Sequence, residues 1–178
     1  FSFHEINNGF IQWPVALLIS GLAALVFGAI SLRTRGVYFI MITLAFSQMV
    51  FFLGVSADRY GSNDGLNIWN LSEFNIGGLE LPIDGEKTFY YMTLVLLLLV
   101  IYLTRRMVNS RFGRILRGAR SNETRLQTIG VATYRYRLTA FVISGVICGL
   151  AGVLQANFER FVSPDMMSWP RSGDLIFM

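Results

Sequence analysis

The chain has little with which to do covalent chemistry: one cysteine, Cys148, one histidine, His4, and one lysine, Lys87, in 178 residues. A lone cysteine inside an apolar run excludes a disulfide framework and a zinc site built from this chain alone, so Cys148 reads as a small packing residue. A single histidine excludes an H-E-x-x-H helix, no G-x-S-x-G occurs, and His4 reads as a surface residue rather than a ligand. Gly85-Glu86-Lys87-Thr88 ends like a phosphate-binding loop, but Glu86 stands where that loop requires glycine. No catalytic residue, cofactor or metal is therefore expected, and any ATP chemistry belongs outside this chain. Acids are also scarce where cations crowd: residues 105–137 hold nine arginines and one acid, Glu123.

What the chain has is apolar length. Hydrophobic residues make up 53% and aromatics 14%, too much for an ordinary water-soluble domain of this size. Four runs, at about 14–32, 37–57, 89–104 and 138–156, approach the roughly 20 residues that cross a hydrocarbon core at about 1.5 Å per residue. An all-α, polytopic membrane protein is expected, because lipid admits only helices that satisfy their own backbone or closed barrels. Trp13 reads as an interfacial anchor and Pro14 as a first-turn proline. The third run is short, so its ends should lean on Tyr90, Tyr91, Tyr102, Arg105 and Arg106. The net charge of +4 then reports topology rather than nucleic acid. Arg33 and Arg35 share a side with the arginine-rich loop 105–137, the cytoplasmic side by the positive-inside rule, and the acidic loop 58–88 lies outside. That outer loop, dense in glycine, reads as turns with a short hairpin around 76–83. The first apolar run is too long for a signal-peptide core, so no removed leader is expected. Both ends read as cut, which makes the whole of 1–178 part of a single transmembrane domain.

Three places carry candidate function. In the second span Gly36, Thr43, Ser47 and Gly54 stack on one helix face, either as the lining of a translocation path or as a tight helix contact, and mid-span Gln48 must face protein or a wet cavity. In the fourth, Gly145 and Gly149 form a G-x-x-x-G pair extended by Ala151 and Gly152, which reads as packing. In the basic loop, Phe112, Ile115, Leu116 and Ala119 share a face while Arg111, Arg114, Arg117 and Arg120 occupy the rest, the pattern of a helix on an anionic leaflet. Ser121 as N-cap, Glu123 in the first turn and Gly130 as stop then define a separate two-turn helix exposing Leu126 and Ile129, a handle for a cytosolic partner.

Taken in order, Arg35-Gly36-Val37-Tyr38, Met41-Ile42-Thr43-Leu44-Ala45, Gly61-Ser62-Asn63-Asp64-Gly65-Leu66, Ser110-Arg111-Phe112-Gly113-Arg114, Asn122-Glu123, Ile129-Gly130, Ala140-Phe141-Val142-Ile143-Ser144, Gly149-Leu150-Ala151-Gly152 and Phe161-Val162-Ser163-Pro164 resemble LivM-type permease subunits of branched-chain amino acid ABC importers. The resemblance implies an inner-membrane permease paired with a second, LivH-like permease, two cytosolic ATP-binding subunits and a periplasmic substrate-binding protein. It places a coupling helix at residues 121–130, with Asn122, Glu123 and Leu126 toward the ATPase. Thr43 becomes a pathway candidate beside Ser47 and Gln48, and Asp64 and Gly65 an outer entrance. Cys148 departs from the alanine usual there. Two other readings stay open: a passive channel for a small polar solute such as urea, and a membrane scaffold recruiting cytosolic proteins.

Overall fold

The computed structural model describes residues 9–34, 36–56, 66–67, 74–76, 79–81, 86–159 and 161–163. Helices dominate: α1 (Gly9–Ser31), α2 (Val37–Ser56), α3 (Glu86–Asn109), α4 (Arg111–Ser121), α5 (Glu123–Thr128) and α6 (Thr133–Glu159). Four of them, over Gln12–Ser31, Val37–Ser56, Lys87–Asn109 and Thr133–Glu159, are long and apolar enough to cross a membrane. The chain is an all-α, multi-pass membrane protein. Four short strands accompany the helices among the described residues. β2 (Phe74–Ile76) pairs antiparallel with β3 (Leu79–Leu81), and β1 (Leu66–Asn67) pairs antiparallel with β4 (Phe161–Val162). The hairpin lies two residues earlier than the sequence suggests, and the β1–β4 pairing ties the segment after α2 to the chain just beyond α6.

The helices outrun the apolar segments at their polar ends. α3 continues through Arg105 and Arg106 to Asn109 and is 24 residues long, longer than the apolar run it carries. Arginine is a good helix former and its stem reaches water from inside the interface, so charge ends the apolar layer without ending the helix. Similarly α1 begins at Gly9, which places Pro14 inside the helix rather than in its first turn; the ring removes the N–H that the carbonyl of residue 10 would have received. Gly36 precedes α2 with φ of +64°, a left-handed turn that only glycine adopts without strain.

The core is a seam between antiparallel α1 and α6. On α1 the small residues Ser20, Gly21, Ala24 and Gly28 recur at helical spacing and meet Leu138, Phe141, Gly145, Val146 and Gly149 of α6. A Cβ on Gly145 would overlap that of Ala24, one on Gly149 would lie 2.6 Å from Ser20 Cβ, and one on Gly28 would lie 2.7 Å from the Phe141 ring. Backbones approach so closely only because these side chains are missing. Ser20 Oγ donates to the Gly145 carbonyl at 2.7 Å, and at the other end Tyr134 Oη donates to the Ala29 carbonyl at 2.9 Å. Among the described residues Gly152 meets nothing within 4 Å, and Ala151 is exposed, so the contact with α1 stops at Gly149.

The other spans are held more lightly. Phe46 of α2 stacks on Phe27 of α1 with centroids 4.8 Å apart, and Phe89 of α3 stacks on Phe158 of α6 at 5.9 Å. No residue of α2 is buried, and Leu53 is 70% exposed, Leu18 of α1 67%. A water-soluble bundle does not present such continuous apolar faces; they suit hydrocarbon or further helices.

Candidate functional site

The polar end of the bundle, where α1 and α3 finish and α6 begins, is built by α4 and α5. The turn from α3 into α4 is tight: a Cβ on buried Gly113 would fall on the backbone of Val108, and Arg117 Nη2 donates to the Val108 carbonyl at 3.1 Å. Only glycine lets α4 fold back on the last turn of α3. Phe112 then packs on Tyr136 of α6, ring centroids 5.7 Å apart, so the apolar face of α4 rests on protein and is half-buried. Its arginines, Arg111, Arg114, Arg117 and Arg120, are all exposed on the opposite side.

Asn122 is the hinge between α4 and α5. Its extended backbone (φ −155°, ψ 99°) ends one helix with its N–H on the Gly118 carbonyl at 3.0 Å. It starts the next by accepting from the Arg125 N–H on Oδ1, also at 3.0 Å. Asn122, not Ser121, is therefore the N-cap; Ser121 is the last residue of α4. Both side chains can cap, but only Asn122 has the extended backbone that aims an oxygen at the free amides. α5 closes with a Schellman motif. Gly130, at φ of +86°, donates to the Gln127 carbonyl at 2.9 Å and Val131 to the Leu126 carbonyl at 3.1 Å.

Within α5, Leu126 turns inward: its Cδ1 lies 3.2 Å from where a Cβ on Gly118 would stand, and the side chain is half-buried. The expectation that Leu126 is exposed is thus corrected, since an apolar side chain one turn into a short helix gains more from the small face of α4 than from water. Ile129 is the exposed apolar residue, at 72%.

Glu123 fastens α5 to α6. Its Oε1 accepts from Arg137 Nη1 at 2.9 Å and from Thr133 Oγ1 at 3.2 Å, and Gln127 Nε2 donates to the same Thr133 hydroxyl at 3.5 Å. Thr133 is only 2% exposed, so the network has a dry centre where hydrogen bonds count for more than at the surface. Arg137 and Thr133 were not singled out in the sequence. The available signal was that the one acid among nine arginines must pair with one of them, and spacing alone does not say which.

Of the pathway candidates, Thr43 spends its hydroxyl on its own helix, donating toward the carbonyls of Phe39 and Ile40 at 3.0 and 2.9 Å. Thr43, Ser47 and Gly54 are half-buried on the side of α2 that carries Phe46 toward α1. Gly36 falls outside the helix and leaves the stripe. Gln48 is half-buried and makes no hydrogen bond among the described residues. Asp64 and Gly65 lie outside the described residues.

A model of the family described as branched-chain amino acid transport system / permease component matches residues 3–178. Among curated proteins, the chain is 28% identical over 182 residues to the high-affinity branched-chain amino acid transport system permease protein LivM of Salmonella typhimurium. It is 29% identical over 181 residues to the Escherichia coli protein of the same name. Each alignment covers 90% of this chain and 42% of the relative, so the chain spans less than half the length of these two proteins. A probable branched-chain amino acid transport permease protein LivH of Methanocaldococcus jannaschii is 30% identical over 108 residues, 60% of this chain and 32% of that protein. No solved structure matches.

Proposed function

We propose, from the premise that this chain belongs to the branched-chain amino acid transport system / permease component family, that it forms part of the membrane permease of an ATP-driven importer for branched-chain or related amino acids. The observation that carries the mechanism is the fastening of α5 to the foot of α6 through Glu123, Arg137 and Thr133. A six-residue helix capped at both ends and bolted to a membrane span is a handle that a separate motor can push. Residues 121–130, with Ser121, Asn122 and Ile129 outward, are the surface offered to cytosolic ATP-binding subunits. Glu123, Leu126 and Gly130 hold that surface in shape.

Displacement of α5 moves α6, and the glycine seam makes α1 follow. α2, with Thr43, Ser47 and Gln48 as pathway candidates, is held by ring stacking and can shift against that pair. Two conformations with different partner contacts are what convert ATP turnover into alternating access. The remaining assignments follow from this reading: a second, LivH-like permease, a periplasmic binding protein docking near Asp64 and Gly65, and a bacterial inner membrane with both arginine loops in the cytoplasm.

The test is reconstitution with the partner subunits and measurement of leucine and urea uptake with and without ATP. Glu123→Arg, with membrane insertion verified, should lower uptake per ATP hydrolysed by at least about fivefold, the lower end of typical coupling energies. Adding Arg137→Glu should restore part of it by rebuilding the pair in reverse. Leucine uptake that needs no ATP favours the passive channel instead, and undisturbed coupling in Glu123→Arg removes α5 from the mechanism.

A further inference from the structure

Arginines crowd the α3–α4 corner. Residues 105–120 contain six arginines and no acid. Glu123, the nearest acid in sequence, is engaged by Arg137. Arg117 is committed to the Val108 carbonyl, and Arg120 stands at the far end of α4 beside α5. Arg105, Arg106, Arg111 and Arg114 remain; all four are exposed, and none has a hydrogen-bond or ion-pair partner among the described residues.

Their depth is fixed by three contacts. Arg105 and Arg106 directly follow the apolar run of α3, whose neighbouring Tyr102 and Leu103 are 61% and 53% exposed on the lateral, lipid-suited surface. Tyr134 of α6 reaches the Ala29 carbonyl near the end of α1, marking the same boundary on the opposite side of the seam, and Phe112 on Tyr136 holds the first turn of α4 at that level. Gly113 folds α4 back over the end of α3 rather than letting it run away from the membrane. Four exposed arginines within ten residues therefore flank the turn at which the apolar run of α3 gives way to charge. A guanidinium presents a planar fork of donors that matches two phosphate oxygens at once, and is less costly to desolvate than an ammonium.

We propose that this corner binds the headgroups of acidic phospholipids, with Arg105 and Arg106 at the end of α3 and Arg111 and Arg114 on α4 as the ligating groups. The phosphate-bearing partner is lipid rather than free phosphate because two of the four cations stand on a membrane-crossing helix at headgroup depth. It is lipid rather than an acidic protein surface for the same reason. The inference rests on α3 and α6 crossing the membrane, not on the role of α5 in coupling.

The experiment uses the reconstituted importer in nanodiscs of phosphatidylcholine containing one fifth phosphatidylglycerol, extracted into detergent, with co-purified lipid counted by mass spectrometry. Wild type should retain phosphatidylglycerol above its share of the disc, and raised salt should release it. Arg111→Gln with Arg114→Gln should lower retention by at least about tenfold at low salt, given roughly fivefold per cation at an anionic surface. Arg105→Gln with Arg106→Gln, which leaves α4 untouched, should do the same. Arg33→Gln, at the same end but outside the corner, should not. The proposal fails if retention matches the bulk composition, if Arg33→Gln lowers it as much, or if millimolar inorganic phosphate displaces the lipid. It also fails if the glutamine variants lose a cytosolic subunit while keeping the lipid, which would assign the corner to a protein. Loss of coupling in Glu123→Arg with lipid retention intact leaves it standing.

Discussion

α1 and α6 cross the apolar layer on glycine, alanine and serine, with one hydroxyl-to-carbonyl bond in the middle and one at the end. α2 and α3 cross the same layer with larger side chains, yet touch their neighbours there chiefly through stacked rings. In water the second pair would be the better buried. In lipid the order reverses, because hydrocarbon is as good a neighbour for leucine as another leucine is, and helices associate where small residues let backbones and dipoles approach. The molecule thus has a stiff half, α1 and α6 with α5 fastened to it, and a more loosely packed half that the proposed function would set in motion. The alternating access proposed above would call on both.

The sharpest way to break this contrast is to fill the seam. Gly145→Leu drives a side chain into Ala24, and overpacking of this kind costs about 1–3 kcal/mol. Gly152→Leu, about two turns further along the same face of α6 but with no atom of the described residues within 4 Å, should stay within about 0.5 kcal/mol. Since both replace a mid-helix glycine by leucine, the helix-propensity gain cancels in the comparison. Unfolding midpoints in mixed micelles of increasing denaturing detergent measure it. Equal midpoints would mean that the seam contributes no more than the loosely held spans.

How far the seam was legible separates what patterns report from what they omit. Gly145 and Gly149 were readable as a packing motif, but their complement, Ser20-x-x-x-Ala24-x-x-x-Gly28, has the same four-residue spacing and passed unread because none of its gaps is bounded by two glycines. Span positions were legible from hydropathy; span ends were not, since Arg105, Arg106 and residues 133–137 prolong helices after the apolar layer has ended. α5 was legible through Glu123 and Gly130, whereas its cap was one residue off, a common ambiguity when two capping residues are adjacent. The β1–β4 pairing joins residues about a hundred positions apart through two-residue strands, too short for any periodicity to announce.

That corrected cap offers the next refinement, since it marks where the stiff half ends. Asn122→Ala removes the side-chain acceptor for the Arg125 N–H and should cost about 1 kcal/mol, seen as a roughly fivefold loss of amide protection in α5. Protection in α1 and α6 should not change, because Glu123 still tethers the helix from its other side. Ser121→Ala, at an exposed position inside α4, should leave α5 within about 0.5 kcal/mol of wild type. Parallel loss in both variants would return the cap to Ser121.

The smallest effect tests what a hydroxyl is for in each half. Ser20 bonds across the seam to Gly145, whereas Thr43 bonds back to its own turn. Ser20→Ala removes one interhelical bond, worth about 0.6 kcal/mol on average in membrane proteins, and leaves the Gly145 carbonyl its place in the α6 ladder. The loss is therefore the bond alone, not an orphaned acceptor. Thr43→Ala removes a bond that only satisfied the hydroxyl itself, so donor and demand vanish together and stability should hardly move. If Thr43 matters, it should appear in transport and not in the unfolding midpoint, while Ser20 should show the reverse. A stability loss at Thr43 as large as that at Ser20 would mean that α2 is bound into the bundle as firmly as α6, and the division into a stiff and a movable half would fall.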